Sequence, residues 1–260
     1  MGHERVGYLP KTKRWRDIVA DIANAGGASA DVAGIVKQTT DNIRDRFEGM
    51  EQDDGLLAAF RFLVSLPVAA RGDAPAEELR RLGIDVPTDP SPISLAKALQ
   101  LCMPQRAASL EYARIAQNAA VDAIAVWSGR AERPEDNLFG VASQSFDVWR
   151  KAANGAGFCE LSRIFFGKFT ERYLNYFLER EASAVLPGVQ ERETFSDELN
   201  RHVDNVSRHA FETAKITQSF AAGWFNKHAK EGLPTNASMR GFLRLALGKL
   251  REELRREGQQ

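Results

Sequence analysis

An all-α fold is predicted on three observations. Period-two alternation of apolar residues is nowhere sustained, spacings of three and four recur almost from end to end, and glycines and prolines punctuate the periodic stretches. These stretches amount to a multihelical bundle of about nine or ten helices with no significant sheet.

The elements follow in order. After Lys13 the stripe Trp15, Ile18, Val19, Ile22 forms a first helix, closed by Gly26-Gly27. Ser29 caps a second, whose inner face carries Val32, Ile35, Val36, Thr39, Ile43, Phe47 and Met50. A third covers Leu56 to about Leu66, where Pro67 limits it. Half of the ten prolines fall between Pro67 and Pro92, around a short helical piece, Ala76 to Leu82. That enrichment divides the chain into a three-helix lobe (1–70), a proline-rich linker (71–94) and a main helical domain (95–260).

At the end of the linker Ser91-Pro92 reads as N-cap and first position of a helix that enters the main domain and ends before Pro104, and another follows from Gln105 to Trp127. Pro134 with Glu135 and Asp136 starts the next, with acids where the macrodipole favours them, and Gly155-Ala156-Gly157 ends it. Phe158, Leu161, Phe165, Phe169, Tyr173 and Tyr176 or Phe177 then recur at helical spacing to about Ser183, where Pro187-Gly188 breaks the chain. A very long helix runs from Ser196 to about Lys230, and Pro234 separates it from a terminal helix, Ser238 to about Glu257.

The longest stretch without a formal charge, Ile216 to Asn226, is eleven residues. That is well short of the roughly 18 apolar residues of a transmembrane helix, so no membrane association is expected. The first residues lack the apolar run of a signal peptide, and Val6 stands where a myristoylation pattern wants Ser or Thr. Two cysteines, Cys102 and Cys159, make no disulfide framework and fit a reducing compartment, so a cytoplasmic protein is expected.

Net charge is zero, yet residues 1–17 carry five basic and two acidic groups and residues 238–260 carry six and three, a surplus of three at each end. The middle is therefore net −6. Basic ends on an acidic body serve an anionic partner or fold back on the body itself.

The chain holds no G-x-x-x-x-G-K phosphate loop, no complete dinucleotide fingerprint, no H-E-x-x-H and no G-x-S-x-G, and none of its four histidines has a glutamate three residues upstream. Neither a cofactor nor a metal is expected. A doubled D-x-x-x-D, Asp17/Asp21 and Asp41/Asp45, has the spacing with which helical isoprenoid synthases hold magnesium against a diphosphate. Its carboxylates, however, point about 130° or more away from the apolar stripe of their own helix, so they are expected to face solvent.

His202 and His209 share one face, each with a glutamate in helical reach (Glu198 and Glu212), which suits either acid-base chemistry or two satisfied rim histidines. The aromatic series from Phe158 to Tyr176 suits either a core or a ligand groove.

Two basic features stand out. Arg14 and Arg16 flank Trp15 in the first turn of a helix, where cations oppose the dipole. In the terminal helix Arg240, Arg244, Arg251 and Arg255 fall within a sector of about 60° beside the apolar face, repelling one another across single turns. An arginine file suits bidentate contacts to carboxylates or phosphates, whether those belong to a partner or to the acidic body.

The expectation is a non-catalytic helical interaction protein, a subunit or adaptor of an assembly. Its partner site is expected at Arg14, Trp15, Arg16, Arg240, Arg244, Arg251 and Arg255, facing an acidic protein surface or a second copy of the chain. The alternatives are a nucleic-acid-associated accessory protein using the same cations on phosphates, and a helical enzyme using His202 and His209.

Overall fold

A computed structural model describes residues 13–24, 32–42, 49–104, 110–130, 145–186, 188–211 and 219–257. Among them are eleven α-helices and one 3-10 turn, Met50–Gln52, and no strand. The helices are α1 (Lys13–Asn24), α2 (Val32–Asn42), α3 (Asp54–Ala69), α4 (Pro75–Arg81), α5 (Pro92–Cys102) and α6 (Leu110–Gly129). Then follow α7 (Ser145–Lys151), α8 (Gly155–Val185), α9 (Val189–Phe211), α10 (Phe220–His228) and α11 (Asn236–Glu257). The protein is all-α.

The caps that begin α3, α5 and α10 are side-chain oxygens supplied by the sequence. Asp53 accepts from the Leu56 N–H at 2.8 Å, Ser91 from Ser94 at 3.2 Å and Ser219 from Ala222 at 3.1 Å. Helix α4 ends in a Schellman turn in which Gly83 (φ 82°) takes the left-handed position and the Ile84 N–H returns to the Leu79 carbonyl at 2.9 Å.

Five boundaries differ from expectation. Met50 belongs to the 3-10 turn, set off by Gly49 in the left-handed region (φ 90°), rather than to the second helix, and α9 starts at Val189, seven residues before Ser196. Pro67 lies inside α3 rather than ending it, because Leu66, Pro67, Ala69 and Ala70 are all buried and their packing outweighs the one hydrogen bond a proline removes in a last turn. Gly155 and Gly157 open α8 instead of closing the preceding helix, with the Asn154 side chain accepting the Gly157 N–H at 2.9 Å. The long helix through Lys230 is broken at Ser219, which is extended (ψ 147°) and caps a separate α10. Gly26-Gly27, Ser29, Gln105 and the start at Pro134 lie outside the described residues.

Helix α8 is central, packing against α1, α6, α9 and α10, while α3 packs on α6 and α11 packs on α2, α3, α9 and the 3-10 turn. Buried residues from Ile18 to Leu254 form one contiguous cluster. The α3–α6 crossing is close because residue 55 is glycine, where a Cβ would overlap the backbone and side chain of Ala113. Aromatic rings fill the middle: Phe60 lies parallel to Phe242 with centroids 5.1 Å apart, and Phe158 stacks on Phe225 at 4.2 Å. Phe158, Leu161, Phe165, Phe169 and Tyr173 are all buried, so in α8 the aromatic series is core. Among the described residues no helix is long and apolar enough to cross a membrane.

Candidate functional site

The arginine file of α11 meets carboxylates of its own chain. Arg240 donates through Nη1 to the Glu51 carbonyl at 2.8 Å and through Nη2 to Asp54 Oδ1 at 2.7 Å. Arg244 Nε donates to Glu51 Oε1 at 3.0 Å, and Arg255 Nε sits 2.8 Å from Asp41 Oδ1. Burial alone would raise the Glu51 carboxyl, but a backbone hydrogen bond and Arg244 outweigh it and hold it below the usual range. Helical periodicity thus located the edge, and the 3-10 turn with the end of α2 and the start of α3 supplies what lies opposite it.

These pairs differ in worth. The Arg240 side chain is 24% exposed, whereas Arg244 is 68% exposed. Arg240→Ala should cost about 1–2 kcal/mol by leaving the Glu51 carbonyl and Asp54 without their donor, and Arg244→Ala less than about 1 kcal/mol because solvent screens its pair. Urea unfolding of the two variants checks the order.

Arg16 is exposed on α1, whereas the side chains of Arg14 and Trp15 lie outside the described residues, so no cluster at that end is defined. Arg251 is partly buried. Asp17 and Asp21 are exposed, Asp21 accepting from Gln38 at 3.2 Å, and Asp41 is taken up by Arg255. Asp45 lies outside the described residues. Among those described, no group of three or more His, Cys, Asp or Glu side chains is placed to hold a metal. His202 is partly buried on α9, and the His209 side chain is outside the described set, so the histidine pair has no geometry to build on.

Sequence reasoning missed the strongest electrostatic feature. Arg163 of α8 is buried, its side chain 5% exposed, and bridges Glu160 (2.9 Å through both Nε and Nη2) to Asp204 of α9 (2.7 Å). Arg130 at the end of α6 completes the Glu160 shell at 2.7 Å, and Arg208 reaches Asp204 at 3.2 Å. Burial alone would raise the Glu160 carboxyl, but hydrogen bonds and charge from Arg163 and Arg130 prevail and pull it down to about 2. Three guanidiniums meet two carboxylates and each group has a partner, so the network ties α6, α8 and α9 together. The signal for it, Glu160 and Arg163 three residues apart, is common on solvated helix faces.

A second missed feature is the outer face of α5. Leu95, Ala98 and Leu99 point into the core, yet Ile93 and Leu101 are 71% and 81% exposed on the other side. They stand eight residues apart, about 80° from each other around the helix, with exposed Lys97 midway, so the three share one outward sector opposite the core face. Lys97 makes no ion pair among the described residues.

A cleft of about 380 Å³ opens beside the end of this helix, walled by α3, the α4 cap, Cys102 and the first residue of α11. No family model matches the chain, and no curated protein or solved structure matches it.

Proposed function

We propose that the protein is a non-catalytic helical interaction subunit that docks through the outer face of α5 onto an apolar protein surface bearing a carboxylate. The observation that carries this reading is the outward sector Ile93, Lys97, Leu101. Single exposed apolar residues are ordinary on any surface. Here two large ones share one outward sector over about 12 Å of helix, with a cation between them that makes no ion pair among the described residues. Covering both would contribute about 1.5–3 kcal/mol each, and an acidic group opposite Lys97 would set register.

The same partner chemistry, an acidic protein surface, was expected from the arginine edge. Arg240, Arg244 and Arg255 already hold carboxylates of the chain, which favours their fold-internal role and removes the main support for a phosphate-binding reading. The docking face therefore moves from α11 to α5.

The test is affinity purification with nuclease treatment, comparing wild type with Ile93→Glu/Leu101→Glu and with Lys97→Glu. The double variant should lose the partner by tenfold or more and Lys97→Glu should weaken it, with stability unchanged to within about 0.5 kcal/mol at exposed sites. Full recovery by the double variant would overturn the α5 face. Recovery that nuclease abolishes would return the nucleic-acid reading, and a self-association lost in the double variant would assign the face to a second copy.

A further inference from the structure

The cleft between α3, the α4 cap and the start of α11 is a ligand site independent of the α5 face, and we infer that it binds an apolar monocarboxylate. Its volume, about 380 Å³, lies within the range of small-molecule sites. Residues 54, 57, 58 and 61, spaced by three and four, give one continuous wall on α3, with Asp54 at one end, Arg61 at the other and Leu57 and Ala58 between. Leu82, Gly83 and Ile84 form the facing wall, fixed by the Schellman turn, so the shape does not await a ligand.

Charge selects the ligand class. Arg61 hydrogen-bonds Asn236 Oδ1 at 3.4 Å and pairs with no carboxylate among the described residues. Arg163, Arg172, Arg240 and Arg244 all do. The one acid of the cleft, Asp54, is already engaged by Arg240 at 2.7 Å. The opening thus presents one planar guanidinium with donors to spare above apolar walls, which fits a carboxylate fork to fork. A single guanidinium without an ion pair among the described residues offers one fork, which suits a monocarboxylate rather than a dicarboxylate or phosphate. Burial pushes the Cys102 thiol up and outweighs Arg61, so Cys102 faces the cleft as a neutral thiol, a reporter rather than a nucleophile.

The carboxylate can come from a free acid or from the C-terminus of a polypeptide. Hexanoate and benzoate are titrated against hexanamide and benzamide by calorimetry on the full chain, alongside an N-acetylated tripeptide ending in leucine and its C-terminal amide. At least one carboxylate should bind tenfold or more tightly than its amide, and should slow alkylation of Cys102 by iodoacetamide. Arg61→Gln, at an exposed position, should keep the melting temperature and lose that discrimination. Ala58→Met, which fills the cleft, should lose binding of acid and amide alike.

Binding of the free acids places a small metabolite in the cleft, and binding of the peptide acid alone places a chain terminus there. Equal affinity for acid and amide, undiminished binding by Arg61→Gln, or no binding by any carboxylate would overturn the inference. Ile93→Glu/Leu101→Glu should leave this binding unchanged, so the two sites fail or succeed separately.

Discussion

Arg163→Ala is expected to destabilise the protein by about 2–3 kcal/mol, below the full cost of stranding a buried charge because Glu160 and Asp204 are partly exposed, and to lower its melting temperature by roughly 5–10 °C for a chain of this size. The loss is large because two carboxylates depend on one guanidinium. Glu160 would keep only Arg130, and Asp204 would keep only Arg208, whose side chain is 57% exposed. Arg130→Ala, at a side chain 46% exposed, should cost less than about 1 kcal/mol.

The pH dependence gives a second, sharper readout. Glu160 titrates near 4.5 in the unfolded chain and at about 2 in the folded one, so between those values the unfolded chain binds the proton that the folded chain refuses. The stabilisation is fully present above about pH 4.5 and is lost as pH falls toward 2. Asp204, also lowered despite its burial, adds in the same direction. In Arg163→Ala the Glu160 carboxyl returns toward its ordinary value, and the acid limb of the melting-temperature profile should flatten. A variant that melts lower but keeps the wild-type acid slope would mean that packing, not charge, is what Arg163 provides.

What the sequence made legible depended on how local the determinant is. Ser91-Pro92 announced α5 because a cap and an N1 proline act within one turn of themselves. The break at Ser219 was hidden because Val206 and Phe220, fourteen residues apart, fall within about 40° of one face on an ideal helix. A period cannot report an interruption that preserves its phase, and Ser219 was the sole cue. Arg163 was illegible for a different reason: its partner Asp204 is 41 positions away, and no local pattern separates a buried arginine from a solvated one. Ile93 and Leu101 were hidden by composition, since α5 is apolar on two faces and periodicity does not say which face the rest of the chain covers. The cleft depends on the convergence of α3, the α4 cap, Cys102 and Asn236, which belong to four separate parts of the chain.

The second large effect is expected at Phe60, where truncation to alanine should cost about 3–5 kcal/mol. Many aromatic rings are fully buried, but Phe60 is the one through which α3 enters the cluster built by α8, α10 and α11. Its ring lies 5.1 Å from Phe242, 5.7 Å from Phe166, 6.0 Å from Phe165, 6.2 Å from Trp224 and 6.4 Å from Phe158. The neighbours come from three helices, Phe158, Phe165 and Phe166 from α8, Trp224 from α10 and Phe242 from α11, so the cavity left by alanine cannot close by rotation of one side chain. Phe60→Leu, which keeps most of the volume, should cost less than about 1.5 kcal/mol. Because Trp224 borders the same space, Phe60→Ala should also shift tryptophan emission to the red as water gains access, whereas Arg163→Ala should not. A loss below about 1 kcal/mol for Phe60→Ala would mean that α3 and α11 can move together to fill the gap, and the packing of α11 on α3 would then be softer than the stacked Phe60–Phe242 pair implies.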